Sequence, residues 1–260
     1  HSGQHIIGRG YPMSEKKTKV KVNHLTKKFG DLLVLNDMSF DVEDGDLLCV
    51  VGPTGCGKTT FLNSLTKIYD ITDGEILLNG EQVDPKKQNI AYIFQGDSTM
   101  PWLTVEENVR FGLDIKKIPE TRKKEQVDKY LEIVGLSKYR KYYPKQLSAS
   151  MLQRVSIARA FATEPELLLM DEPYGQLDIE LRFKLEDELV KLWQMTGTTV
   201  LFITHNIEEA VYLGNKIMVL TNKPTTVKKT LINELPRPRD IAAPEFVKLR
   251  NEVTELIKWW

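Results

Sequence analysis

Leu47-Leu48-Cys49-Val50-Val51-Gly52-Pro53-Thr54-Gly55-Cys56-Gly57-Lys58-Thr59 decides the fold of this 260-residue chain. Its first five residues are an apolar, partly β-branched run of strand length, and Gly52 ends it. Gly52 to Thr59 then matches G-x-x-x-x-G-K-[ST], the phosphate-cradling loop. The spacing has a chemical reason. Glycines at 52, 55 and 57 open backbone conformations closed to other residues and turn N–H groups inward on an anion. Lys58 supplies a point charge for the β- and γ-phosphates, and the Thr59 hydroxyl is a ligand for Mg²⁺. Thr59-Thr60-Phe61-Leu62-Asn63-Ser64-Leu65 reads as the first turns of a helix whose positive end faces the phosphates. The strand before and the helix after are the context the motif needs.

Working outward, acidic and basic residues balance at 36 each, so no net field steers the chain towards nucleic acid or anionic lipid. No apolar run approaches the ~18–20 residues of a membrane-spanning helix, and no secretory leader is read. Residues 1–12, with their Gly and His and no initiating Met, read as an expression-tag remnant ahead of a start at Met13. Two cysteines, Cys49 and Cys56, give neither a disulfide framework nor a metal spacing, and imply a reducing, cytoplasmic compartment. Cys49 reads as a small core hydrophobe. Cys56 lies in the phosphate loop, where N–H dipoles and Lys58 are expected to favour its thiolate, so that alkylation blocks nucleotide binding.

Strand patterns cover Val20 to Phe40, interrupted by a turn at Lys28-Phe29-Gly30-Asp31. Glu75 to Leu78 is a short strand between Thr72-Asp73-Gly74 and Asn79-Gly80, and Ile90 to Phe94 is the next apolar run. From Met100 to about Ala162 the texture turns helical. Thr104 with Glu107 three residues on forms a capping box, Thr121 to Val134 carries one apolar face, and Ser150 to Phe161 is a third run. Leu167 to Met170 and Thr198 to Ile203 are continuous apolar strands of the kind buried on both faces of a parallel sheet. Glu180 to Gln194 and Ile207 to Leu213 read as helices, and Lys216 to Leu220 as the final strand. The expected class is α/β, with a mostly parallel sheet core, an antiparallel β edge and a helical insertion. After Leu235-Pro236-Arg237-Pro238-Arg239, residues Phe246, Leu249, Val253, Leu256 and Trp260 share a helical face, either packed on the domain or offered to a partner.

Further residues fit phosphoryl transfer. Asp171 ends the strand 167–170, where a carboxylate faces a bound metal, and Glu172 beside it is placed to orient or deprotonate water. His205 sits at the same sheet edge, as does Gln95. With these residues the chain resembles an ATP-binding-cassette (ABC) ATPase subunit over roughly Val20 to Leu235. The motifs stand in the family's order: the phosphate loop 52–59, Gln95, a signature at Leu147-Ser148-Ala149-Ser150-Met151-Leu152-Gln153-Arg154, Asp171-Glu172-Pro173, Gly175-Gln176-Leu177-Asp178, and Thr204-His205.

That resemblance implies a P-loop domain over 13–235, with a helical subdomain at about 96–162 and a tail at 236–260. It implies ATP and Mg²⁺ as cofactors, with Thr59, Gln95 and Asp171 on the metal and Glu172 as general base. His205, Lys58 and Gln95 are its other catalytic residues. Phe29 stacks on adenine. Gly52, Pro53, Thr54, Gly55, Cys56, Gly57, Lys58, Thr59 and Thr60 hold the phosphates. Ser148, Ala149, Ser150 and Asp178 close the site of an opposite subunit in an ATP-bound homodimer.

Met100-Pro101-Trp102-Leu103-Thr104, Met151 and Leu235-Pro236-Arg237-Pro238-Arg239 are similar to importers of the nitrate, sulfonate and taurine type. The expected partners are then a membrane permease, docked in a groove at about 96–110, and indirectly an extracytoplasmic solute-binding protein; nucleic acid is not one. The expected location is the cytoplasmic face of the membrane. Two other classes stand beside this reading: a cassette ATPase outside transport, and a nucleotide switch that scarcely hydrolyses ATP. The signature departs from the family pattern, with Ala149-Ser150 in place of two glycines, which predicts crowding at the γ-phosphate or a restricted backbone and hence a weaker sandwich.

Overall fold

The computed structural model describes residues 16–96 and 98–258. The tag reading of residues 1–12 and the helical-face reading of Trp260 therefore fall outside the described residues. Two sheets form the frame. β1 (Thr18–Phe29), β2 (Leu32–Glu43), β4 (Asp73–Leu78) and β5 (Glu81–Gln82) build an antiparallel sheet in the order β2-β1-β4-β5. The second sheet contains β3 (Leu47–Val51), β6 (Ile90–Ile93), β7 (Leu167–Asp171), β8 (Val200–Ile203), β9 (Lys216–Leu220) and β10 (Val227–Ile232). Its order is β10-β9-β3-β8-β7-β6, parallel from β9 to β6.

β10 corrects the reading of β9 as the last strand. It pairs antiparallel with β9 at the sheet edge. Its residues run half-buried, exposed, exposed, exposed, buried, exposed, so Lys228-Lys229-Thr230 carries no apolar alternation for a pattern to catch.

The central strands are apolar because they are covered on both faces. Every residue of β3 and β8 is buried. One cluster unites Leu47, Cys49 and Val51 with α2 (Val105–Ile115), α3 (Glu120–Ile133) and α4 (Ala149–Ala162) through Val109, Leu131 and Phe161. The other face of the same strands packs through Leu48 and Val50 on Phe61 and Leu62 of α1 (Lys58–Leu65) and on the antiparallel sheet. α2 begins as read from its sequence, with Thr104 Oγ1 accepting from the Glu107 amide and the Glu107 carboxylate accepting from the Thr104 amide.

α7 (Pro244–Lys258) packs back on the domain, with Phe246 and Val253 buried and Leu249 and Leu256 against the same core. The proline-arginine stretch before it has a definite task. Arg239 donates to the carbonyl oxygens of Val211, Tyr212 and Gly214 at 2.9, 3.0 and 2.8 Å, and Arg237 to that of Tyr212 at 3.2 Å. These carbonyls close the C-terminal end of α6 (Ile207–Leu213), where positive charge is favoured by the helix dipole. Burial holds the Arg239 guanidinium down at about 10.

Candidate active site

Parallel strands deliver their carboxyl ends to one edge, and each of the central ones tips a polar group there. β3 runs into the phosphate loop, β7 ends at Asp171 and Glu172, and β8 passes through Thr204, whose amide donates to Val50 O at 3.1 Å, to His205. These groups meet in a cavity of about 470 Å³ lined by Thr54, Gly55, Cys56, Gly57, Lys58, Thr59, Thr60, Asp171, Glu172, His205 and Lys223.

The loop's glycines divide their work. Gly55 and Gly57 take φ of 75° and 96°, left-handed values that a side chain resists. Gly52 does not; it is small for a packing reason, because a Cβ there would lie 2.8 Å from Cys56 Sγ. Gly57 is the N-cap of α1, so the first amides of that helix point into the cavity mouth as an anion site. Lys58 is buried, and its Nζ donates to Gly52 O at 3.1 Å, which arches the chain side over the loop.

Glu172 Oε1 lies 2.8 Å from His205 Nδ1. The Glu172 backbone is left-handed, with φ of 45°, and is pinned by its amide donating to Ile203 O at 2.9 Å and by Gly175 N donating to its carbonyl at 3.2 Å. A non-glycine residue held there stores of the order of 1–3 kcal/mol, a feature that collects at functional sites. Burial and the neighbouring charge of Glu172 push the Asp171 carboxyl up, against the opposing pull of Lys58 and a hydrogen bond from the Tyr92 hydroxyl. Tyr92 is a site residue that the sequence reading missed; nothing marks it among the apolar residues of β6.

Asp171, Glu172 and Lys58 leave a carboxylate pair short of positive charge, which suits a divalent cation. Among the described residues no cluster of three or more His, Cys, Asp or Glu side chains forms a cage. Asp171 and the Thr59 hydroxyl on this cavity would suit a hard divalent cation completed by phosphate oxygens and water.

Other expected residues stand apart from this cavity. Gln95 is exposed and does not line it; its Nε2 lies against the loop after Glu172, 3.2 Å from where a Gly175 Cβ would be. Phe29 is 42% exposed at the end of β1, edge-to-face with Tyr69 at 5.2 Å. Asp178 caps α5 (Ile179–Thr196), accepting from Leu181 N at 2.9 Å. Ser148 is the N-cap of α4, and both it and Ala149 are exposed. Ala149 and Ser150 occupy the first two helical positions without positive φ, so no glycine is required for the backbone there. Ser150 Oγ accepts from Arg154 at 2.6 Å, and Arg154 is itself held by Glu188 at 2.7 and 3.0 Å. The restricted-backbone argument for the signature thus falls, while the surface it offers remains open.

Cys56 is a second correction. Its thiol is 1% exposed and faces the core between Gly52 and Leu220, so burial pushes it up despite the nearby Lys58. Desolvation of the thiolate outweighs the loop's dipoles. Iodoacetamide should therefore label Cys56 of the folded protein slowly with or without ATP, a rate that mass spectrometry of the tryptic peptide reads directly. Fast labelling that ATP suppresses would restore the reactive-thiolate reading.

A family model described as "ABC transporter" matches residues 35–175. An uncharacterized ABC transporter ATP-binding protein of Methanocaldococcus jannaschii is 41% identical over 246 residues, covering 93% of this chain and 92% of that protein. The aliphatic sulfonates import ATP-binding protein SsuB of Bacillus cereus is 38% identical over 244 residues, covering 92% and 96%. The structure of cbiO1 from Clostridium perfringens, part of the ABC transporter complex cbiONQ, superposes with a TM-score of 0.77 at 23% identity, over 94% of this chain and 98% of that one, and supports the fold. With the phosphate loop, the carboxylate pair and the histidine converging on one cavity, the chain belongs to the ABC transporter family as an ATP-binding subunit that hydrolyses ATP to drive transport.

Proposed function

We propose that this chain powers an importer of a small oxyanion-bearing solute of the sulfonate, taurine or nitrate class, through a separate membrane permease. The observation that carries the catalytic half is the convergence of Lys58, Asp171, Glu172 and His205 on the phosphate-loop cavity. The loop amides and Lys58 hold the triphosphate, Thr59 and Asp171, with Gln95 reaching in from beside the cavity, would hold Mg²⁺, and Glu172 takes the proton of the attacking water. Bound there, Mg²⁺ would supply charge neutralisation of the phosphates. His205, fixed through Nδ1 by Glu172, presents its other ring nitrogen to the terminal phosphate. Phe29 stacks on the adenine.

The remaining elements serve assembly. Ser148, Ala149 and the N-terminal end of α4, exposed away from the cavity, close the site of a twin subunit together with Asp178, so hydrolysis needs two chains. The division into 13–235, with a helical subdomain at about 96–162, and a tail at 236–260 follows the same reading. Trp102 is 71% exposed on a turn that Asn108 fastens by accepting from Met100 N at 2.8 Å and donating to Leu103 O at 3.1 Å. In this reading it is the aromatic offered to a permease in the 96–110 groove, and the chain works at the cytoplasmic face of the membrane. Among the described residues no helix is long and apolar enough to cross a membrane.

The reading is tested by reconstituting the chain with a sulfonate-type permease and its binding protein in vesicles. ATP-driven uptake of labelled taurine, an alkanesulfonate or nitrate is expected. Hydrolysis that ignores permease and solute alike, in a chain that co-purifies with ribosomes instead, would defeat it.

A further inference from the structure

The cavity contains one cation that the motifs do not name. β9 is the neighbour of β3 on the side away from β8, so the chain leaving β9 reaches the same edge as His205 from the opposite flank of the phosphate loop. The turn that follows, Thr221-Asn222-Lys223-Pro224-Thr225-Thr226, is closed on itself by Thr221 N donating to Thr226 O at 3.0 Å and Thr226 N to Thr221 Oγ1 at 3.0 Å. Both outer sides of it are fastened. Thr225 N donates to Val34 O at 2.8 Å and Asn36 N to Thr225 O at 2.8 Å, which joins the turn to β2. Thr225 Oγ1 donates to the carbonyl of Cys56, which joins it to the phosphate loop itself. Lys223, exposed and on the cavity wall, projects from this fixed platform and has no carboxylate partner among the described residues.

We propose that Lys223 is a second cation for the triphosphate, contacting the terminal phosphate from the flank opposite His205. The inference rests on the reading of this cavity as the nucleotide site. The amides at the start of α1 hold the inner phosphates, and Lys58 reaches the β- and γ-phosphates from within the loop. Lys223 lines one cavity with the phosphate loop, so a flexible ammonium on that wall adds charge at the outer end of the triphosphate, where ATP differs from ADP.

The test is the affinity of the full chain for Mg·ATP and Mg·ADP by calorimetry, with Lys223→Ala and Lys223→Arg beside wild type. Lys223→Ala should bind ATP about tenfold more weakly and ADP within about threefold of wild type, and Lys223→Arg should recover most of the loss. ATP binding unchanged in Lys223→Ala would overturn the proposal while leaving the nucleotide site intact. Equal losses for both nucleotides with a lowered Tm would overturn it too, by making Lys223 a support for the turn. Wild-type protein that binds neither nucleotide would defeat the site reading itself.

Discussion

Glu172→Gln should lower the steady-state ATPase rate by about 10²- to 10⁴-fold while ATP still binds. The substitution keeps volume and the contact to His205 Nδ1, now 2.8 Å away, and removes only the ability to take a proton. The left-handed backbone at position 172 is unaffected, since glutamine accepts it as glutamate does. Phosphate release and nucleotide affinity, measured on the same preparation, separate the two effects. A variant that still turns over within about fivefold of wild type would assign the proton to another group and leave Glu172 a positioning role for His205.

The second large effect concerns stability. Glu186 on α5 is fully buried and faces the Glu209 carboxyl of α6. Arg182 Nε approaches Oε1 only to 3.5 Å, and among the described residues the buried hydroxyl of Tyr174 has no hydrogen-bond partner. Burial, then the Glu209 carboxyl, push the Glu186 carboxyl well above the usual carboxylate range. Below the ordinary carboxylate pKa both folded and unfolded chains carry the proton and there is no penalty. As pH rises from there, the unfolded chain releases it and the folded chain does not, so stability falls until the folded carboxyl ionises at its raised pKa. Glu186→Gln removes that linkage, and its amide donates to Glu209. We expect a gain of the order of 1–3 kcal/mol at pH 7, shrinking towards pH 4, with Tm up by several degrees. Thermal melts at both pH values check it; a loss at pH 7 would show that the charged form is the one the fold uses.

What the sequence discloses here follows burial. β3, β7 and β8 are covered on both faces, so their apolar runs announce them, and the phosphate loop between β3 and α1 carries its own spacing. Thr104 with Glu107 announces α2 in the same local way. β10 escaped because an edge strand with three exposed residues in a row has no periodicity. Cys56 misled because the direction of a side chain in an irregular loop is settled by what packs beneath it, here Gly52 and Leu220. Lys223 has no motif at all; its place follows from the order β9-β3-β8, which only the assembled sheet reveals. The exposed Ser148, Gln95 and Phe29 are legible as types, but each stands apart from the cavity in this fold.

Thr225 gives the nucleotide site one last property. A single threonine is stitched to the antiparallel sheet through Val34 and Asn36 and to the phosphate loop through the Cys56 carbonyl. The layer carrying Phe29 and the layer carrying Lys58 are therefore clamped into one jaw. On the proposed stacking of a purine at Phe29, its phosphates would meet the second layer at a span set by the scaffold itself, a ruler that separates a tri- from a diphosphate.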